Sequence, residues 1–257
     1  MDKQYLEKQF QNYHEFASSE VARSDILSNK KWCVCGDSFT EGDFSGYVDS
    51  EGHTGENSDA FDAKSGHYKT YPWWIGNRHN MNIQWLARRG ADFTNVENAV
   101  NPFSNPNTSG HNYTLIDSDC DYVTLMFGLN ETNLTDEQIG NHGDTTNETL
   151  WGAYHVTLTS ILTNNPFCKI GIIIADAWMN QKYHDAVINI AKRYGVPYLD
   201  LKDGVDVPIG IQGRFVTNAE VRNLRTNAFR ISETNTHPNV KAHEYRSTII
   251  ENFLRSL

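Results

Sequence analysis

The chain has 257 residues, a formal charge of −10 and four cysteines. The length suits one large α/β domain, and the acidic balance argues against a nucleic-acid partner and against docking on anionic membranes. Cys33, Cys35, Cys120 and Cys168 lie on or beside apolar runs and form no C-x-x-C pair, so they read as core residues rather than metal ligands or redox centres.

Residues 1–28 open the chain with Leu6, Phe10, Tyr13 and Phe16 three or four apart, the period of an amphipathic helix. The first residues, MDKQYLEKQFQNYHEF, are charged and lack an apolar h-region, so the expected location is the cytoplasm. No apolar run approaches the roughly 18 residues of a membrane span. Trp32–Cys35 reads as a buried strand that stops at Gly36, where Asp37, Ser38, Thr40 and Gly42 make a small polar turn. Ligands of open α/β sheets bind outside the carboxyl ends of the strands, so a hydroxyl placed just after a buried strand faces a crevice.

Residues 43–71 are rich in Gly, Ser, Asp, Glu and His and read as a polar insertion bordering that crevice, or as a surface loop. Tyr71-Pro-Trp-Trp-Ile-Gly begins a helix-like or irregular stretch whose aromatics are placed to wall one side of a pocket, although the adjacent Trp73 and Trp74 face different ways. Met81–Ala87 and Tyr122–Phe127 read as further strands, the latter ending at Gly128-Leu-Asn130. A helix near Glu148–Leu162 carries Leu150, Tyr154, Leu158 and Ile161 on one face. Lys169–Ala175 is the most continuous apolar run and a fourth strand, with Asp176 and Trp178 at its edge. Lys182–Tyr194 is helical, Pro197–Leu201 a fifth strand, and residues 203–232 give no clear pattern. His237-Pro238 leads into a final helix bearing Tyr245, Ile249, Ile250, Phe253 and Leu254, with Pro238 suited to its first turn and His243 read as a surface residue. Apolar strands alternating with amphipathic helices predict a five-stranded parallel sheet covered on both faces, within a single domain over 1–257.

Three strand ends then share a character: Gly36-Asp-Ser38, Gly90-Ala91 and Gly128-Leu-Asn130. Serine needs a base to act as a nucleophile, and His237 is the candidate. Acyl transfer also needs donors aimed at the developing oxyanion; the Ser38 N–H, the Gly90 N–H and the Asn130 amide are of the right type.

These residues resemble the block pattern of the SGNH (GDSL-type) hydrolases. Gly36-Asp-Ser-Phe-Thr-Glu-Gly42 resembles block one, Arg89-Gly90-Ala91 the glycine of block two, Gly128-Leu-Asn130 the G-x-N of block three, and Thr234-Asn-Thr-His-Pro-Asn239 the D-x-x-H-P-N of block five. The resemblance implies a flavodoxin-like three-layer α/β/α fold and ester or thioester hydrolysis with no cofactor and no metal. It departs at one point: Thr234 stands where the family has the aspartate that orients the histidine. Three substitutes stay open: Glu233 one position earlier, a backbone carbonyl that leaves a Ser-His dyad, or an acid from elsewhere.

The resulting expectation is a serine esterase for short acyl groups, first of all O-acetyl esters on carbohydrate, with Tyr47, Tyr71, Trp73, Trp74 or Trp178 stacking on sugar rings. A lipid esterase or thioesterase is the second enzymatic reading. A carbohydrate-binding or structural protein on a weakened scaffold is the third, kept open by Thr234. The substrate partner is a small molecule or carbohydrate; neither nucleic acid nor membrane is expected, and the oligomeric state is not legible.

Overall fold

A computed structural model of the protein describes residues 25–131, 133–175, 180–202, 220, 224 and 227–257. The chain passes through β1 (Lys31–Gly36), a four-residue helix α1 (Ser38–Glu41), the hairpin strands β2 (Phe61–Asp62) and β3 (His67–Tyr68), α2 (Tyr71–His79) and β4 (Asn82–Ala87). It continues with β5 (Tyr122–Met126), α3 (Asp136–Ile139), α4 (Leu150–Asn164), β6 (Lys169–Ile174), α5 (Gln181–Tyr194), β7 (Tyr198–Asp200) and α6 (Val240–Ser256). The polar stretch 43–71 thus contains a short antiparallel hairpin. Most of the expected N-terminal helix lies outside the described residues, and residues 26–29 at its end form a turn.

Buried on both faces, β1 can only be a central strand, and it pairs in parallel with β4 on one side and β5 on the other. The sheet order is β4-β1-β5-β6-β7, every pair parallel. Taken in chain order, the five strands run 2-1-3-4-5, so the direction of winding reverses between β1 and β5. That switch point, at the carboxyl edge, is where such sheets bind ligands.

Register assigns the layers. Trp85, Val34, Thr124 and Gly171 are successive partners across the sheet and share a face. A Cβ on Gly171 would meet Phe253 of α6 at 2.7 Å, so α6 covers that face. Ile83, two residues from Trp85 and on the same side, touches Gly76 of α2. Gln84 points to the opposite face, where its amide bonds the Leu115 carbonyl at 2.8 Å. There α4 buries Leu150, Tyr154, Leu158 and Ile161, the stripe that the sequence pattern predicts. The four cysteines are buried free thiols, and the Cys33 and Cys35 sulfurs lie 3.6 Å apart on one side of β1.

The exit from β1 is tight. A Cβ on Gly36 would lie 2.2 Å from Thr40 Oγ1 and 2.8 Å from the Met126 carbonyl oxygen. Gly36→Ala is therefore expected to cost at least about 2 kcal/mol, from overpacking against backbone that cannot yield. Urea unfolding with an unchanged m-value would show this; an unchanged midpoint would contradict it.

Candidate active site

The buried Ser38 is the first residue of α1, and the helix is capped by the residue before it: Asp37 Oδ1 accepts the Phe39 N–H at 2.9 Å. Because the cap is supplied by Asp37, the Ser38 hydroxyl is left for other work. It meets His237 Nε2 at 2.8 Å. As the first residue of a helix, Ser38 has a backbone N–H with no intrahelical acceptor.

His237 reaches this position from an extended segment rather than from a helix end. The final helix starts at Val240 and is capped by Asn239, whose Oδ1 accepts the Ala242 N–H at 3.0 Å. Pro238 therefore precedes the cap, pairing as a β-bridge with Arg230, and does not sit in the first turn. The Ile231 N–H bonds the His237 carbonyl at 2.9 Å and fixes the backbone at the ring.

The group that orients the imidazole is Asn235. Its Oδ1 accepts both the His237 backbone N–H, at 3.0 Å, and the ring at Nδ1, at 2.7 Å. The amide cannot be reversed without loss, because Nδ2 donates to the Ser45 carbonyl at 2.7 Å. With the Asn235 Oδ1 acceptor on Nδ1, the tautomer that satisfies both contacts carries its proton on Nδ1 and leaves Nε2 a lone pair facing the Ser38 hydroxyl. Glu233 does not fill this role: it is exposed, and the ring nitrogen it would need is already engaged by Asn235. Thr234 is exposed too, its hydroxyl 3.2 Å from that of Ser232.

Burial holds the His237 imidazole below the 6.5 of a free histidine; the Asp43 carboxylate opposes this, while Arg246 and Arg89 add to it. Arg246 is fully buried, with its guanidinium over the Phe39 ring at 5.1 Å, and that ring packs 5.3 Å from His237. His243, expected at the surface, is buried beside Phe44, and burial pushes its imidazole well down. It sits at the same helical phase as Arg246, Ile250 and Phe253, on the inward stripe of α6.

Around the crevice, Asn130 donates one amide hydrogen to the Ala91 carbonyl at 2.9 Å and keeps a second. This bond ties the Gly128–Asn130 strand end to the Gly90 turn. Gly90 has φ +70 with nothing near an added Cβ, so backbone conformation rather than space calls for glycine. Gly128 needs glycine on both counts, with φ +109 and the Tyr183 ring 2.3 Å from an added Cβ.

Among the described aromatic candidates, Tyr71, Tyr47 and Trp73 are engaged away from the Ser38–His237 pair. Tyr71 is fully buried with its hydroxyl on Thr40, and so offers no face to a substrate. Tyr47 donates to Asp59 and packs edge-on against Phe44. Trp73 and Trp74 are perpendicular, and Trp73 lines a separate cavity of about 320 Å3 with His67, Asn77 and Trp85 that includes neither Ser38 nor His237. Asp176 and Trp178 lie outside the described residues.

Beneath the site lie two carboxylates that carried no signal in the sequence as a pair. Burial pushes Asp37 up to about 7, against the Phe39 and Leu129 N–H groups, and the Glu131 charge adds to the rise. Burial also pushes Glu131 up to about 7, against the Thr94 hydroxyl and N–H that bond its Oε1.

No family model matches the chain, and no curated protein does. Solved structures do match. A Lactobacillus plantarum protein superposes with a TM-score of 0.58 at 20% identity, over 90% of this chain and 98% of its own. A protein named as a GDSL-like lipase, from Bacteroides ovatus, superposes at 0.55 with 16% identity, over 90% of this chain and 100% of its own. The chain has the SGNH-hydrolase fold. A family two carbohydrate esterase from Clostridium thermocellum, in complex with cellohexaose, shares it at 0.56 and 14% identity, over 91% of this chain and 66% of the esterase. On this SGNH fold, Ser38, Gly90 and Asn130 stand at three neighbouring strand ends, with His237 delivered by the segment before α6.

The buried acids give a pH signature of stability. Their folded-state values lie above the unfolded 3.8 and 4.5, so the folded protein holds these protons more tightly than the unfolded chain. That contribution is complete below about pH 4 and is lost as the pH rises through about 7. Glu131→Gln keeps the Oε1 acceptor for Thr94 and removes one ionisation. Its melting temperature is expected to match wild type near pH 4 and exceed it by several degrees at pH 8; a pH-independent difference would refute the assignment.

Proposed function

We propose that the protein is a serine ester hydrolase with a Ser38–His237–Asn235 triad. The observation that carries this reading is the pair of contacts on one imidazole: Ser38 Oγ at 2.8 Å from Nε2 and Asn235 Oδ1 at 2.7 Å from Nδ1. That is nucleophile, base and orienting group in hydrogen-bond reach, the arrangement that activates a serine.

In the proposed reaction, Ser38 Oγ attacks the acyl carbonyl carbon while Nε2 takes the hydroxyl proton. The oxyanion faces the Ser38 and Gly90 N–H groups, which have no acceptor among the described residues, and the second amide hydrogen of Asn130. The C–O bond to the alcohol breaks as Nε2 returns the proton to the leaving oxygen. Water, deprotonated by the same nitrogen, then releases the acid and restores Ser38. A neutral amide orients the imidazole as a carboxylate does and fixes its tautomer, but it gives the imidazolium less electrostatic support.

For the substrate, we favour short acyl esters on carbohydrate. Beside the Phe39 ring, polar and charged side chains stand near the triad, Asp43, Arg89 and Asn130 among them, which suits a hydroxyl-rich alcohol portion better than a lipid chain. The carbohydrate esterase of like fold supports the same choice.

Release of p-nitrophenol from acetate, butyrate and octanoate esters is the test. Turnover is expected to fall with chain length and to disappear in Ser38→Ala. Asn235→Ala is expected to lower kcat by roughly 10- to 100-fold with KM little changed, since the imidazole loses its tautomer lock. The acid limb of kcat/KM is expected below pH 6.5, because His237 must be neutral to act as a base and burial lowers its pKa. Equal rates in wild type and Ser38→Ala would sink the proposal.

A further inference from the structure

The third member of the triad is uncharged, yet a carboxylate stands one step behind it. Asn235 Nδ2 donates to the Ser45 carbonyl at 2.7 Å, and the Ser45 N–H donates to Asp43 Oδ1 at 2.9 Å. Four polar contacts therefore run without a break from the Asp43 carboxylate through Ser45, Asn235 and His237 to the Ser38 hydroxyl. Asp43 is half-buried and lies five residues beyond the serine, immediately after Gly42 ends α1. Gly42 has φ +100, and a Cβ there would sit 2.8 Å from Thr70 Cγ2, so this turn is closely determined. One short segment thus holds both the nucleophile and the charge.

We propose that Asp43 is the charge of this triad, a positioning residue that acts on His237 through Ser45 and Asn235. No proton moves along the chain of contacts. The carboxylate anchors the Ser45 backbone, whose carbonyl holds the Asn235 amide in its orientation, and its charge favours the imidazolium that forms as Ser38 attacks. The idea rests on the triad assigned above.

The surrounding charges make this role specific. Burial lowers the His237 pKa, Asp43 raises it, and Arg246 from α6 and Arg89 from the end of β4 lower it further. Arg89 is itself paired with Glu41 of α1, and His243 is held neutral by burial. Among the charges named as acting on the ring, Asp43 is the negative one. The influence is mutual: burial tends to raise the Asp43 carboxyl, but hydrogen bonds from Ser45 and the charges of His237 and Arg89 bring it below its usual value.

The competing explanation is that Asp43 merely shapes the turn by accepting the Ser45 N–H. Asp43→Asn separates the two, because an amide oxygen still accepts that N–H while the charge is gone. Asp43→Ser is a second charge-free variant whose hydroxyl can serve the same N–H. The readout is NMR titration of the His237 ring, assigned with His237→Gln, which needs no turnover. Both variants are expected to titrate His237 at lower pH than wild type. The acid limb of kcat/KM on p-nitrophenyl acetate is expected to move the same way, with kcat lower by roughly three- to tenfold and KM unchanged. An unmoved His237 titration in folded Asp43→Asn or Asp43→Ser would leave Asp43 as a turn former and overturn the proposal. If wild type hydrolyses no ester, the esterase reading fails on the kinetic arm while the titration still decides the role of Asp43.

Discussion

The architecture of the site turns on the exit from β1. At Gly36 the strand leaves the sheet between β4 and β5 with Thr40 and the Met126 carbonyl so close that no side chain fits. Because β1 lies where the winding of the sheet reverses, the next residues emerge into the crevice that this topology creates. Asp37 turns inward and caps α1, which leaves Ser38 facing out of the helix start. The Gly90 turn and the Gly128–Asn130 end flank it as the neighbouring strands stop in register, with Ala87 and Met126 both paired to Gly36.

Orientation of the base depends on a second constraint, far away in sequence. The segment before α6 is tied through Asn239 to the carbonyls of Ala228 and Arg230 and through Asn235 to that of Ser45. The tie to Ser45 decides which end of the Asn235 amide faces the imidazole, and so which ring nitrogen keeps a lone pair. The polar stretch after α1 thereby reaches the imidazole, with the Ser45 carbonyl fixing the Asn235 amide.

The sheet and most helices were readable in the sequence because buried strands and amphipathic helices have strong periods; α4 followed its apolar stripe residue for residue. Ser38, Gly90 and Asn130 stood out in the sequence as small or polar residues following apolar runs and His237 as the histidine before the last helix, and the structure brings Ser38 and His237 within hydrogen-bond distance. Asn235 was not. It lies two residues before His237, whereas the familiar acid lies three before, and an asparagine in a polar run has the signature of any turn residue. Asp43 was hidden for the same reason, within a stretch full of turn-forming aspartates. In α6, His243, expected at the surface, is buried. His243 and Arg246 share a helical phase with Ile250 and Phe253, a spacing visible in the sequence, but hydropathy alone assigns both to solvent. The Arg246 guanidinium lies over the Phe39 ring, a contact no local pattern encodes.

The central claim, that Ser38 is an activated nucleophile, is tested most directly by covalent labelling. An aryl or alkyl phosphonofluoridate should add to the Ser38 oxygen with loss of fluoride, and intact-mass analysis with peptide mapping would count and locate the adduct. The account requires one phosphonyl group per chain, on Ser38, formed much more slowly when His237 is replaced by Gln. No adduct, an adduct on a different serine, or equal labelling rates in the two proteins would contradict it.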